Sequence, residues 1–212
     1  MPISEKLRKD PRMIRDAYKF ILPLLALGIL SVATGFEYIG CLFFILALFV
    51  AFFFRNPSRN IPEGKNLIVS PADGRIVKIS RSDSGEQSIS IFLSIFDVHV
   101  NRSPIAGELK ELQYKRGRFK AAFYEEASRV NEQNILIVDG GDIQVTFKQI
   151  AGVIARRVVC WKKPGDMLGK GERVGLIRFG SRADVILPKK VNITVKIGDR
   201  VRGGSSVLGD YS

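Results

Sequence analysis

Two long uncharged runs near the N-terminus constrain the fold most. Residues 20–36 and residues 38–54 each hold 17 residues without a charged side chain, and only Glu37 separates them. A helix that crosses a bilayer needs roughly 20 apolar residues, with about 17 as the lower limit. The spacing therefore predicts a hairpin of two apolar helices with a short tip. Basic residues flank both outer ends, so the positive-inside rule places both ends on the cytoplasmic side of the cell membrane.

Two other structures fit the same runs. A basic segment before an apolar stretch, with Ser-Val-Ala at 31–33, is typical of a signal peptide, and a soluble protein can bury an apolar hairpin. The second run directly behind the first favours an anchor. Residues 41–54 also lack the polar face that a soluble helix normally shows. We therefore expect residues 1–55 to form a basic N-terminus and a membrane-associated hairpin, which spans the bilayer or enters one leaflet.

Downstream of the hairpin, the composition is that of a β-rich domain. Asn-Pro at 56–57 and Pro-Glu-Gly at 62–64 place the boundary near residues 55–66. Short β-branched segments follow, and two turn patterns recur among them. A Pro/Gly turn precedes a strand at 70–77, 103–109 and 150–154, and a Gly-Asp turn occurs at 164–171 and 197–204. We expect residues 56–212 to form a mainly β, compact barrel or sandwich, with little helix outside 119–130.

The charge balance points to an anionic partner. The formal net charge is +12, which suits a nucleic acid or an anionic membrane surface. We find no recognition helix and no regular alternation of aromatic and basic residues, so we expect no nucleic-acid partner. The two cysteines, Cys41 and Cys160, form no CxxC pair, and His99 is the single histidine. This composition predicts neither a disulfide framework nor a metal site.

A Gly-Ser bond at a strand end is the first candidate for chemistry. The apolar run before Gly180 predicts a buried strand, and strand-like residues resume after Ser181. Glycine opens backbone conformations in which the Ser181 hydroxyl can approach the carbonyl carbon of Gly180, the geometry of an N-to-O acyl shift. Most such pairs are simple turns. A second pair, Gly204 and Ser205, occupies the place of Gly171 and Glu172 in the Gly-Asp repeat, so there we predict a turn.

Two further residues lie at edges of predicted strands, where their side chains can converge on Ser181. Asp73 belongs to a Ser-Pro-Ala-Asp-Gly turn, and Asp before Gly is also ordinary turn chemistry. His99 lies in the segment 94–104, and a strand histidine is as often a structural, half-buried residue.

Four ordered motifs resemble the phosphatidylserine decarboxylase family in its short bacterial and archaeal form. They are Phe-Arg-Asn-Pro at 54–57, Ser-Pro-Ala-Asp-Gly at 70–74, Phe-Asp-Val-His-Val-Asn-Arg-Ser-Pro at 96–104 and Gly-Leu-Ile-Arg-Phe-Gly-Ser-Arg at 175–182. The resemblance implies a proenzyme that cleaves itself between Gly180 and Ser181. It also implies that fragments 1–180 and 181–212 stay together as a heterodimer, and that Ser181 becomes a covalent pyruvoyl group, the cofactor. Longer relatives carry a second histidine where this chain has Arg102.

The chemistry expected of such an enzyme assigns roles to these residues. Decarboxylation of an α-amino acid needs an electron sink, which a pyruvoyl group supplies without an external cofactor. For maturation we expect Ser181 to attack Gly180, with His99 as the general base and Asp73 orienting it. For turnover, the substrate amine would condense with the ketone, and His99 would reprotonate the α-carbon after CO₂ leaves. Arg102 is a candidate for binding the substrate phosphate or carboxylate.

The expected activity is the conversion of phosphatidylserine to phosphatidylethanolamine at a membrane. An archaetidylserine substrate, with ether-linked chains, and a higher oligomer both stay open. The Gly-Asp repeats also suit a non-catalytic domain similar to biotinyl or lipoyl carriers, or a membrane-surface adaptor. However, no modifiable lysine stands alone at a hairpin tip as such carriers require.

Overall fold

The structure is a computed structural model that describes residues 13–120, 126–152, 157–178 and 181–212. Its contacts divide the chain into two compact units, Met1–Ser58 and Arg59–Ser212. We call them the N-terminal unit and the β unit.

The N-terminal unit is a helical hairpin. A 3-10 turn at Arg15–Ala17 leads into α1 (Tyr18–Ala33), and α2 spans Glu37–Phe53. The tip lies at 34–36, at the start of the predicted tip region 35–40, because Gly35 takes a φ of 83° that ends α1. Glu37 instead begins α2, where its charge suits the helix dipole. The helices pack closely, since a Cβ on Gly28 would lie 2.6 Å from the Phe44 ring.

One helix among the described residues is long and apolar enough to cross a membrane. It covers Arg15–Ala33, 19 residues with a mean hydropathy of 1.6, whereas Glu37–Phe53 is shorter. Signal sequences and buried core helices can meet the same criteria. Only 11% of the most apolar stretch is buried, which argues against a core helix. The hairpin therefore suggests membrane association by its length and composition alone.

The β unit confirms the predicted mainly β fold. An eight-stranded antiparallel sheet has the order β13-β2-β3-β11-β7-β6-β5-β9, and two three-stranded sheets have the orders β1-β14-β12 and β4-β10-β8. The described strands are β1 (Leu67–Val69), β2 (Gly74–Arg81), β3 (Gln87–Leu93), β4 (Val100–Arg102), β5 (Gly107–Lys115), β6 (Gln133–Asp139), β7 (Gln144–Ile150), β8 (Val158–Cys160), β9 (Met167–Leu168), β10 (Arg173–Ile177), β11 (Ser181–Leu187), β12 (Val191–Ile193), β13 (Arg200–Val201) and β14 (Val207–Tyr211). Of the predicted helix at 119–130, the structure describes α3 (Ala127–Val130), while residues 121–125 lie outside the described part.

The core is built from alternating side chains of the central strands. Ile89, Ile91 and Leu93 of β3 are buried, and Val185 and Leu187 of β11 lie in the same cluster. Side chains two residues apart point to the same face of a strand, so this alternation fixes the register of β11 against its neighbours.

The β unit consists of two similar halves. In the inner half, β4 to β10, each strand has a counterpart in the outer half, which comprises β1 to β3 and β11 to β14. When each strand is exchanged for its counterpart, the strand order of one three-stranded sheet becomes that of the other. The same exchange makes the two ends of the eight-stranded sheet change places. The register of the β2–β3 pair shifts between Ile76 and Lys78, and that of the β5–β6 pair shifts between Leu109 and Glu111, 33 residues later in each case.

The recurring turns show the same duplication. Ser70 Oγ donates to Ala72 O at 2.7 Å, and Ser103 Oγ donates to Ile105 O at 2.7 Å. The Gly-Asp turns also agree, since φ is 91° at Gly165 and 97° at Gly198. The first two Pro/Gly turns of the sequence are thus equivalent, while residues 153 and 154 of the third lie outside the described part.

The inner half is inserted into the outer half between β3 and β11. In the inner half, the equivalent strands β6 and β7 are joined by a tight hairpin, in which Gly140 N donates to Ile143 O at 2.9 Å. In the outer half the hairpin is replaced by two chain crossings, at 94–99 and 178–180. Leu93 pairs with Ser181 at this point, so Ser181 takes the position that Ile143 has in the hairpin.

The duplication predicts equal effects of two matched substitutions. A Cβ at Gly165 or Gly198 meets nothing within 4 Å, so only the left-handed backbone is strained. We expect Gly165→Ala and Gly198→Ala each to lower the free energy of unfolding by about 1 to 2 kcal/mol. Urea unfolding of the full chain in detergent, followed by the single tryptophan, Trp161, measures this. Ser181→Ala would serve as the background, because the self-cleavage expected from the sequence cannot occur in it. Effects that differ by more than about 1 kcal/mol would contradict the equivalence.

Candidate active site

Ser181 begins β11 at the centre of the eight-stranded sheet. Its backbone pairs with Leu93 at the end of β3, and the next residue, Arg182, pairs with Ile150 of β7. The side chain is fully buried, and its Oγ has no hydrogen-bond partner among the described residues. Such a buried hydroxyl costs about 1 to 3 kcal/mol, so its retention calls for an explanation. Gly180, the other residue of the predicted cleavage site, lies outside the described part.

His99 is held by the first chain crossing. Asp97 Oδ2 accepts hydrogen bonds from Ser94 N and Ser94 Oγ, both at 2.8 Å, and Asp97 N donates to Ser94 O at 3.0 Å. This turn places Asp97 O at 2.9 Å from His99 Nδ1. A carbonyl oxygen only accepts, so Nδ1 carries the proton and the neutral ring has its lone pair on Nε2. That is the tautomer a general base needs.

The end of β10 lies beside His99. Ile177, the last residue of β10, donates its backbone N–H to His99 O at 3.2 Å. In the sequence Ile177 precedes Ser181 by four positions. The residue before β4 is therefore bonded to the strand that precedes the Gly-Ser bond in the chain.

Asp73 lies at the same end of the sheet, on the other side of β3. Arg75 pairs with Phe92, so Asp73 precedes β2 where Leu93 ends β3. Its carboxylate accepts from Arg59 Nη2 at 2.9 Å (Oδ1) and 2.8 Å (Oδ2), and from Gly203 N at 2.8 Å. Burial raises the pKa of Asp73 above its usual value, and Asp97 adds to this, while Arg59 and the Gly203 N–H act in the opposite direction.

The hydrogen bonds of Asp73 and His99 differ from the expected arrangement. The carboxylate of Asp73 is bonded to Arg59 and Gly203. The contact that orients the ring of His99 is with the carbonyl of Asp97 rather than with Asp73.

Arg102, the predicted substrate-binding residue, is buried at the far end of β4. Its Nη1 donates to Gly171 O at 3.0 Å, and its Cδ lies against Gly204. It follows His99 by three positions along extended chain, a distance of about 10 Å. The structure therefore gives this guanidinium a contact within the turn before β10.

Several residues at the site have no signal in the sequence motifs. Arg59 and Gly203 reach Asp73 from distant parts of the chain, and sequence spacing carries no trace of that contact. Asp97 is different, because Ser-x-x-Asp is a recognisable turn pattern that could have assigned it. A row of buried amides also borders the site: Asn134 Nδ2 donates to Gln149 Oε1 at 3.0 Å, and Gln149 Nε2 donates to Asn101 Oδ1 at 2.8 Å.

No group of three or more His, Cys, Asp or Glu residues that could hold a metal ion occurs in the described part of the chain.

Arg182, directly after Ser181, makes a buried ion pair. Its Nε donates to Asp184 Oδ1 at 2.6 Å and its Nη2 donates to Ser90 Oγ at 2.7 Å. The two charged side chains are 5% and 10% exposed. The pair lies near the start of β11, and the bond from Arg182 to Ser90 holds that strand against β3.

Breaking this ion pair should destabilise the β unit strongly. We expect Arg182→Met to lower the free energy of unfolding by about 3 to 5 kcal/mol, because Asp184 is left buried and uncompensated. The double variant Arg182→Met/Asp184→Leu removes both charges and should recover most of the loss. Urea unfolding in the Ser181→Ala background measures both. If the single variant unfolds at the same urea concentration as its parent, the pair has no such role.

Comparison with known proteins places the chain in one family. The family model described as phosphatidylserine decarboxylase matches residues 46–209. A phosphatidylserine decarboxylase proenzyme of Solibacter usitatus is 53% identical over 77% of this chain and 79% of its own length. Proenzymes of the same name from Carboxydothermus hydrogenoformans and Azorhizobium caulinodans are 44% and 43% identical, over 95% and 100% of this chain and 98% and 94% of theirs. The chain belongs to the phosphatidylserine decarboxylase family.

Proposed function

We propose that this chain is a self-cleaving decarboxylase proenzyme that cuts itself between Gly180 and Ser181. The mature form converts phosphatidylserine to phosphatidylethanolamine at a membrane surface. One observation carries the proposal: Ser181 Oγ is buried without a hydrogen-bond partner among the described residues, in a family whose relatives are named proenzymes. At the equivalent position of the inner half stands an isoleucine, Ile143, so the fold itself has no need of a hydroxyl there.

Self-cleavage uses groups of the chain alone. A base removes the Ser181 hydroxyl proton while Oγ attacks the carbonyl carbon of Gly180, and the C–N bond breaks to give an ester and a free amine. Loss of the Ser181 Cα proton then breaks the Cβ–O bond, which leaves a carboxylate on Gly180 and dehydroalanine at 181. Its imine tautomer takes up water and releases ammonia, and residue 181 ends as a pyruvoyl group.

His99 suits the part of the base. Its Nδ1 is fixed by Asp97 O, so the Nε2 lone pair belongs to the neutral ring, and its reference pKa of about 6.5 lies near neutrality. Burial of Ser181 excludes water from the hydroxyl, which favours attack on the peptide over exchange with solvent.

The position of Ser181 also fits a pyruvoyl group. A methyl ketone has no hydrogen-bond donor, and this position accepts an isoleucine side chain in the equivalent hairpin. When present, the group supplies an electron sink for the electron pair of the breaking C–CO₂ bond. His99, as the imidazolium left by one proton transfer, can return a proton to the substrate α-carbon.

The strands of the small fragment pair with strands of the large one in two sheets, so cleavage should not release it. Fragment 181–212 has 32 residues (212 − 180) and contains β11 to β14. Strand β11 pairs with β3 and β7, and β14 pairs with β1. We propose that the two fragments remain together as a heterodimer.

Membrane attachment suits a lipid substrate. Residues 59–212 contain 26 Lys and Arg against 17 Asp and Glu, a formal net charge of +9. Each basic residue close to an anionic leaflet adds about 1 kcal/mol of attraction. Together with the apolar hairpin, this charge supports a position of the β unit at the cytoplasmic face of the cell membrane.

Replacing Ser181 tests the cleavage site. We expect Ser181→Ala to yield one uncut chain of 23.6 kDa and no CO₂ release, whereas the unaltered chain gives two fragments that co-elute in detergent and separate in denaturant. Folding should survive, because Oγ makes no hydrogen bond to any of the described residues. Ser205→Ala, at the other Gly-Ser bond, is the matched control and should cleave normally. Intact mass spectrometry measures all three, and a cut Ser181→Ala chain would refute the proposal.

Replacing His99 tests its two proposed roles, as the base in self-cleavage and as the proton donor in decarboxylation. Gln retains an N–H that can reach Asp97 O, but it cannot take up a proton. We expect His99→Gln to cleave slowly, and each cut chain to release CO₂ about 100-fold more slowly or worse. The small fragment, counted by mass spectrometry, normalises the rate. Full CO₂ release per cut chain would exclude His99 as the proton donor.

A further inference from the structure

Three distant segments meet at the carboxylate of Asp73. Arg59 is the first residue of the β unit, Asp73 lies in the turn before β2, and Gly203 lies in the turn after β13. Arg59 Nη2 donates to both carboxylate oxygens, and Gly203 N donates to Oδ1. The two charged side chains are only 8% and 13% exposed. We call these residues the Asp73 cluster.

The duplicated fold supplies an internal control for this cluster. The turn equivalent to 70–74 is 103–107, where Ala106 stands in the place of Asp73. Both turns have the same serine hydroxyl bond to a carbonyl, and Val69 N donates to Pro104 O as Arg102 N donates to Pro71 O, each at 2.9 Å. The turn therefore forms without a carboxylate, and the buried ion pair is an addition to one half only.

The buried ion pair of Arg59 and Asp73 lies in the outer half, which also carries the proposed cleavage site at Ser181. Asp73 precedes β2 on one side of the end of β3, and Ser181 begins β11 on the other side. Adjacent strands are about 4.8 Å apart, so roughly 10 Å separates the two backbones. The negative charge of Asp97, on the turn that holds His99, acts on Asp73 as well.

A buried carboxylate needs compensation to keep its charge. Its burial favours the neutral acid, and a single cation with a backbone N–H counters this. We propose that Arg59 is a positioning residue for self-cleavage: it keeps Asp73 ionised and in place beside the His99 turn, where that charge stabilises the imidazolium formed when Ser181 is deprotonated. This inference rests on the proposed function.

The sign of the expected pH effect follows from the contacts. Removal of Arg59 removes both of its contributions, which lower the pKa of Asp73, and leaves burial and Asp97, which raise it. Asp73 would then be protonated at higher pH. Besides Arg59, the charged group that acts on Asp73 is Asp97. The charged or titratable residues on the neighbouring segments include His99, Arg202, which precedes Gly203, and Arg102, whose Cδ lies against Gly204. Loss of the Arg59 charge also favours the protonated form of His99. The double variant with Asp73→Asn therefore separates an effect through Asp73 from a direct effect on His99.

The experiment follows self-cleavage of the full chain rather than decarboxylation. Pulse-labelled chain made by cell-free synthesis in detergent is transferred to buffers from about pH 5 to about pH 9, and the fraction cut is measured on denaturing gels. The variants are Arg59→Lys, Arg59→Met, Asp73→Asn and Arg59→Met/Asp73→Asn. Arg75→Met, which removes an exposed cation two residues from Asp73, is the matched control.

We expect Arg59→Met to move the acid limb of the cleavage rate to higher pH. Below that limb, the rate falls about tenfold for each unit by which the pKa of Asp73 rises. Arg59→Lys should stay within about threefold of the unaltered chain, since it keeps the charge, and Arg75→Met should match the unaltered chain. In the Asp73→Asn background, Arg59→Met should cause no further shift, because it acts through Asp73.

Other results overturn the inference. A pH-independent slowing by Arg59→Met would show a structural role, and a shift that persists with Asp73→Asn would show a direct effect on His99. Should Arg59→Met misfold, Arg59→Met/Asp73→Ala recreates the alanine of the inner half and should fold but cleave slowly; normal cleavage in it refutes the role. If the unaltered chain never cleaves, the proposed function fails instead.

Discussion

The pairing of β11 between β3 and β7 is the constraint on which the rest of the β unit depends. Every residue from Ser181 to Leu187 pairs with β3, and five of them also pair with β7. The buried Ala183, Val185 and Leu187 fix this register, because a slip by one residue would turn them away from the core. Register in turn puts Ser181 opposite Leu93, where β3 ends. The position of Ser181 is therefore set by packing of the whole strand rather than by local turn chemistry.

The insertion of one half into the other explains why a site forms at this end. A hairpin such as the one closed by Gly140 and Ile143 satisfies its own backbone and leaves no room for other segments. Opening the equivalent hairpin to admit the inner half leaves β3 and β11 joined to that half by two separate connections. One connection carries the turn that holds His99, and the other leads from β10 into Ser181. The topology therefore accounts for the presence of both segments near the end of β3.

Much of this architecture could be predicted from local patterns. The uncharged runs around Glu37 predicted the hairpin, and the Pro/Gly and Gly-Asp turns predicted a β-rich domain with internal repeats. Ser181 and His99 were proposed as site residues because each lies at the edge of a predicted apolar strand, and those roles stay predictions. The order of strands in the sheet was beyond reach, since it depends on pairings between residues as distant as Leu93 and Ser181. For the same reason, the bonds from Asp73 to Arg59 and Gly203 had no sequence signal.

The duplication separates what the fold requires from what the reaction requires. Features present in both halves, such as the Ser70 and Ser103 turns, serve folding, because each half needs them to build its strands. Features present once are candidates for chemistry. Ser181 stands where the other half has an apolar Ile143, and Asp73 stands where it has Ala106. Ser181 and Asp73 each bury a polar group, which stability alone disfavours, and both lie at the end of β3. The duplicated scaffold therefore departs from its symmetry at the end of β3, where the candidate site lies.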